Sequence, residues 1–214
     1  MKKEFDKFKQ WLAQNYSDGL LDLNPPATDD EINELTNTFG VELPDDFISV
    51  LKIHNGQKGE SAWLFDSQEF LSTHRIIEEF NTWKNLLETK LQGKISIPDD
   101  GVKNEWWNIN WIPFTSDGCG DHYCLDLSPT ATGTKGQVIT LWYESEQREI
   151  VSQSFSLWFK EYVKQLYSGE LIYSKEYNSI VYKDELEKEK FMNDNLIYAL
   201  IALAVYIAYK KYTQ

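Results

Sequence analysis

The sequence predicts an α+β fold: an antiparallel sheet of about four to six strands flanked by helices, plus a C-terminal hydrophobic helix. Three observations carry this. The N-terminal half holds several stretches whose apolar residues recur at helical spacing. Residues 111–151 hold short β-favouring runs separated by Gly, Asp and Ser. One more helical stripe then follows, and helices, then closely spaced strands, then a helix is the order of an α+β domain.

Taken in order, Phe5, Phe8, Leu12 and Tyr16 predict an amphipathic helix over residues 3–16, ended by Asp18-Gly19. Asn24-Pro25-Pro26 makes a stiff connector. Thr28 and Glu31 then have the spacing of a capping box, in which each side chain satisfies an amide of the other's backbone. Ile32, Leu35 and Phe39 form the buried stripe of that helix, and Gly40 suits its C-terminal end. Pro44 opens the next helix, with Asp45 and Asp46 complementing the dipole and Phe47, Val50 and Leu51 facing inward. Residues 62–65 read as a short strand. From Thr73, the residues Ile76, Phe80, Trp83, Leu87 and Leu91 predict a long helix, closed by Gly93. A polar loop leads to Trp106-Trp107. Neighbouring side chains on a regular strand point to opposite faces, so one of these rings is expected at the surface.

Trp111 to Asp126 reads as strand, tight acidic loop, strand. Gly118 and Gly120 suggest positive φ, and Tyr123, Leu125 and Leu127 alternate with His122, Cys124 and Asp126 in the manner of a half-buried strand. Residues 138–142 form another strand, residues 144–149 an acidic turn, and Ile150-Val151 the last strand. Ser154 caps a helix with the stripe Leu157, Trp158, Tyr162 and Leu166, stopped by Ser168-Gly169. Two regions result: a domain over 1–170, and a charged connector with a hydrophobic helix over 171–214. The uncharged run 195–209 makes about 22 Å of helix against a hydrocarbon layer of about 30 Å. Two readings stay open for it: docking on the domain or on a second copy, or membrane association with Lys210 and Lys211 at the interface.

The formal charge is −13, and all of the excess lies in residues 1–170, which hold 28 acids against 15 bases. That balance argues against nucleic acid as a ligand and suits either a basic protein partner or solubility alone. The two cysteines, Cys119 and Cys124, cannot build a disulfide framework, and the basic start of the chain is followed by no apolar signal segment, so a reducing cytoplasm is expected.

The sequence contains no phosphate-binding G-x-x-x-x-G-K-[ST], no H-E-x-x-H and no G-x-S-x-G, and Gly118-x-Gly120 lacks the third glycine of a dinucleotide site. Cys119, His122 and Cys124 fall one ligand short of a structural zinc set, which Asp117 or Asp121 would have to complete. Asp117, Asp121 and Asp126 do not follow calcium-loop spacing. No catalytic residue, metal or cofactor is therefore assigned. Loop aspartates most simply accept hydrogen bonds from amides of their own turn.

The order P-F-x-x-D-G-x-G-D-x-Y-C-L-D over residues 113–126 resembles the signature of the SUKH superfamily. Leu43-Pro44-Asp45-Asp46-Phe47 with Asn55-Gly56 upstream resembles the superfamily's helix and turn. Gly136 to Ile139, Trp142 and Ser154 to Phe159 downstream resemble its closing strands and last helix. The superfamily holds many bacterial immunity proteins and the fungal regulators of cell-wall β-glucan synthesis. The resemblance implies a cytoplasmic, non-enzymatic immunity protein that neutralises a cognate toxin, of nuclease type. The partner surface is expected at Asp117, Asp121, Asp126, Glu144, Glu146, Trp106 and Trp107. The alternative it implies is an interaction scaffold or regulator, membrane-tethered if 195–209 enters the bilayer.

Overall fold

The computed structural model describes residues 1–188 and 190–192. The hydrophobic run expected at 195–209 lies outside the described residues. The N-terminal part is helical: α1 (Lys2–Asn15), α2 (Ser17–Leu21), α3 (Asp29–Phe39) and α4 (Asp45–Leu51). The Thr28–Glu31 capping box forms as expected. The Glu31 amide donates to Thr28 Oγ1 at 3.2 Å, while Glu31 Oε2 accepts the Thr28 amide at 2.7 Å. Asp18-Gly19 does not end α1 but lies inside α2. Gly19 is required there by space, since an added Cβ would stand 2.5 Å from the Tyr16 ring and 2.7 Å from Leu64.

The expected strand at 62–65 does not form. Phe65 and Gln68 instead exchange both backbone hydrogen bonds at 2.9 Å around a tight turn, and β1 (Glu69–Phe70) follows. After α5 (Thr73–Thr89) come β2 (Ile97–Pro98), β3 (Trp111–Pro113), β4 (Thr115–Ser116), β5 (His122–Asp126), β6 (Gln137–Leu141), β7 (Gln147–Arg148) and β8 (Ile150–Ser152). Then α6 (Phe155–Ser168) leads to β9 (Leu171–Ser174) and β10 (Ser179–Tyr182). The α+β class holds, but the strands are divided among several sheets, and the main one, with four strands, is at the lower end of the four to six expected. The main sheet is antiparallel with the order β3-β5-β6-β8, and β1-β4, β9-β10 and β2-β7 pair separately, the last in parallel.

Helices cover both faces of the main sheet: α5, with α3 behind it, lies on one side, and α6, with α1 and α4, on the other. The half-buried alternation expected for β5 therefore fails. His122, Cys124, Leu125 and Asp126 are all buried, as is every residue of β6. Between α1 and α6 the core is a cluster of rings in which Phe5, Phe8, Phe65 and Phe159 are fully buried, each within about 5–6 Å of at least two of the others. Burying each such ring is worth about 1.5–3 kcal/mol. Along α6, Trp158, Tyr162 and Leu166 face inward as expected, together with Phe155, Phe159 and Val163, whereas Leu157 is exposed.

From residue 171 onward the sequence predicts a charged connector. Residues 171–182 form the β9–β10 hairpin and pack on the body: Tyr173 stacks on Tyr16 with centroids 3.9 Å apart, and the Ile180 carbonyl accepts the Ser67 amide at 3.2 Å.

Candidate functional site: the acidic end of the sheet

The loop between β4 and β5 folds on itself. Asp117 Oδ1 accepts the amides of Cys119 and Asp121, each at 2.8 Å, and the Asp117 amide donates to the Asp121 carbonyl at 3.1 Å. Gly118 and Gly120 take φ +73° and +111°, which L side chains adopt only with strain, so the closure needs both glycines. Asp121 reaches outward instead, and its Oδ1 accepts the Tyr143 amide at 2.8 Å. Loop and post-β6 segment thus border one cleft of about 670 Å3, lined by Cys119, Asp121, Trp142, Tyr143, Glu144 and Ser145. Glu144, Glu146 and Cys119 are exposed around it, and the Trp63 ring, 36% exposed, lies against Gly118.

The far wall is set by Arg148. Its buried guanidinium donates to the carbonyls of Trp106 (2.8 Å), Ser145 (2.7 Å) and Gln147 (2.5 Å), which pins the 142–147 turn to the sheet. Burial brings its pKa down to about 10, so it stays charged at neutral pH.

Three of the expected surface residues lie inside. Asp126 is buried, with its carboxylate accepting Ser128 N–H at 2.9 Å and Gln137 Nε2 at 3.0 Å, and burial raises its pKa. Trp106 and Trp107 are both buried. The alternation rule does not apply to them, because they sit in an irregular segment ahead of β3. Trp106 is held between Lys94 and Arg148, 4.5 and 5.1 Å from its ring, and Trp107 meets Phe80 at 5.4 Å. The rule does hold at Trp142-Tyr143, which directly follows β6. Trp142 turns to Tyr123 on the α6 side (5.4 Å) and Tyr143 to Trp83 on the α5 side (5.9 Å). Adjacent aromatics at a strand end were the available signal for these two. For Trp63 the sequence carries none.

His122 is fully buried beneath the loop. Its Nδ1 donates to the Thr115 carbonyl at 2.7 Å, Glu79 Oε2 stands 3.9 Å from Nε2, and burial lowers its pKa. Cys124 is likewise buried and its thiol pKa is raised, whereas Cys119 faces outward. Among the described residues, no group of three or more His, Cys, Asp or Glu is placed to hold a metal ion.

A family model described as the SMI1 / KNR4 family (SUKH-1) matches residues 26–161, from the connector before α3 to the middle of α6. The chain belongs to the SMI1/KNR4 family. This family's SUKH-1 stretch contains the acidic loop, the Trp142–Ser145 wall and Arg148. Curated relatives are similar over most of this chain. The "Glucan synthesis regulatory protein" of Neurospora crassa is 21% identical over 82% of the chain and 40% of its own length. The "Cell wall biosynthesis/cell cycle regulator smi1" of Schizosaccharomyces pombe is 25% identical over 81% and 38%. The "Cell wall assembly regulator SMI1" of Saccharomyces cerevisiae is 19% identical over 74% and 39%. The chain thus spans about two fifths of the length of these relatives.

Proposed function

We propose that this SUKH-1 chain is a non-enzymatic regulatory interaction module that binds a protein partner at the acidic end of its sheet. The names of its relatives are those of wall-synthesis and wall-assembly regulators, which supports the regulator reading over toxin immunity. The observation that carries it is the occupation of the loop's polar groups. Asp117 and Asp121 hold backbone amides, Asp126 is buried in hydrogen bonds, His122 is buried with only its Nδ1 bonded, and what faces solvent is acid and aromatic surface at Trp142, Tyr143, Glu144 and Glu146. Half-buried aromatic rings beside carboxylates offer an anchor for affinity and a field that steers a basic partner.

Capture of binding partners by the full chain from cells of its own source, with Trp142→Ala and Glu144→Lys as controls, tests this. Several regulatory or wall-synthesis partners, lost in both variants and weakened by salt, are the expected result. Capture of one toxin domain in a one-to-one complex would restore the immunity reading and overturn this one. Turnover of any substrate that disappears in Asp121→Asn would overturn the non-enzymatic part.

A further inference from the structure

A second cleft, of about 170 Å3, lies between α6, β10 and the turn at Phe65–Gln68, and Asp66, Tyr123, Trp158, Glu161, Tyr162 and Tyr182 line it. At the liquid share of about 30 Å3 per molecule that is room for roughly six waters, the scale of a guanidinium or ammonium group with its last methylenes.

The turn that presents Asp66 is conformationally demanding. Asp66 and Ser67 take φ +48° and +59° between the paired Phe65 and Gln68, the two-residue geometry that Asn-Gly adopts most easily. The surrounding elements hold it: Ser67 N donates to the Ile180 carbonyl at 3.2 Å, and Asp66 N to the Tyr162 hydroxyl at 3.4 Å. The outcome is a carboxylate in an aromatic cleft at a position where a glycine would fold with less strain.

Among the described residues, no donor meets that carboxylate and no Lys or Arg lines the cleft. Its charge goes unanswered: Glu161, which lines the same space, is itself paired with Lys164 at 2.8 Å, and Glu185 acts on Asp66 with the same sign. Two of the phenols are committed, Tyr162 donating to the Leu64 carbonyl at 2.6 Å and Tyr182 to Gln165 Oε1 at 3.3 Å. The cleft therefore offers aromatic surface and negative charge. Ring faces attract cations, and the attraction grows where water is partly excluded. An anion would meet the unpaired Asp66 carboxylate, and an apolar group would leave Asp66 desolvated and unpaired.

The geometry points to a receptor for one organic cation, the guanidinium or ammonium end of an arginine or lysine side chain presented by a partner protein. Only the source of the cation rests on the partner-binding reading above; the chemistry of the cleft does not.

The test is a titration of the full chain with N-acetylarginine methylamide, and with the neutral citrulline analogue, following the aromatic signals by NMR. Saturable shifts at Tyr123, Trp158 and Tyr182 with the arginine probe alone are expected. Asp66→Asn should weaken binding about tenfold, and Glu161→Gln should weaken it less. Both variants keep the fold, because asparagine accepts positive φ readily and the Glu161 side chain is 54% exposed. Equal response to the citrulline probe, unchanged affinity in Asp66→Asn, or shifts centred on residues 117–121 would overturn the assignment. The probe needs no partner, so this result and the fate of the Trp142 surface are read separately.

Discussion

The Asp121 carboxylate accepts the Tyr143 amide at 2.8 Å, and that bond joins the acidic loop to the segment leaving β6. Asp121→Ala leaves a half-buried N–H without its acceptor and should cost about 1–2 kcal/mol. Asp121→Asn keeps an oxygen in place and should cost less than half as much. Urea denaturation of the two variants measures the difference. Equal losses would mean that the charge matters and the acceptor does not.

Asp66 gives the chain a pH dependence of unusual sign. Burial, reinforced by the nearby Glu185, raises its pKa from 3.8 to about 6. The groups around it are Tyr123 on β5, Glu161 and Tyr162 on α6, Tyr182 on β10 and Glu185 beyond, none of which supplies positive charge. With the folded pKa above the unfolded one, the fold favours the protonated acid. Asp66 therefore subtracts stability above about pH 6, and the penalty is relieved as pH falls toward 3.8. Asp66→Asn should stabilise the protein at pH 7.5 by about 1–2 kcal/mol after allowance for partial exposure, with the gap closing by about pH 4. Paired denaturation curves at the two pH values check it, and a constant gap would remove Asp66 as the titrating group.

Local chemistry made much of this fold legible. The Thr28–Glu31 box, the Gly40 and Gly169 helix ends, the Ser154 cap and the glycine-built acidic loop all arise from interactions within a few residues, which a sequence displays directly. Tertiary context hid the rest. β5 loses its alternation because α5 and α6 cover both faces of the sheet, and Trp106 is buried because Arg148, distant in sequence, packs on it. At the candidate site, Asp117, Asp121, Glu144 and Glu146 were legible as acids in and after a turn. Tyr143 was missed there, and Trp142 was read as a sheet residue, because both positions depend on where β6 ends. The Asp66 cleft was hidden completely, since β5, α6 and β10 meet only in the folded chain.

Two glycines with nearly the same φ should behave very differently when replaced by alanine. Gly40 and Gly56 take +65° and +67°. A Cβ on Gly40 meets nothing within 4 Å, so Gly40→Ala should cost only the backbone strain, about 1 kcal/mol. A Cβ on Gly56 would stand 2.3 Å from the Ser72 amide nitrogen and 2.4 Å from the Leu71 carbonyl carbon, both backbone atoms. Gly56→Ala should therefore cost about 3 kcal/mol or more, or prevent folding. Melting temperatures of the two variants decide the matter, and similar shifts would mean that the Gly56 turn has room to move.

The Arg148 guanidinium serves carbonyls in two directions: Trp106 through Nε and Nη2, and Ser145 and Gln147 through Nη1. Among the described residues no carboxylate lies within ion-pair distance of it, so its value lies in donor geometry. A lysine carries its charge at one point on a flexible stem and cannot span both directions. Arg148→Lys should therefore cost about 2–3 kcal/mol despite the retained charge. Arg148→Met keeps the packing on Trp106 but leaves buried carbonyls without donors, and should cost at least as much. Both variants free the 142–147 turn, so hydrogen exchange there should speed up by more than in β6, and partner capture through Trp142 should fall even where the protein is still folded. A lysine variant with wild-type stability and an unchanged exchange rate at Tyr143 would show that water replaces the guanidinium, and that the turn holds its shape without it.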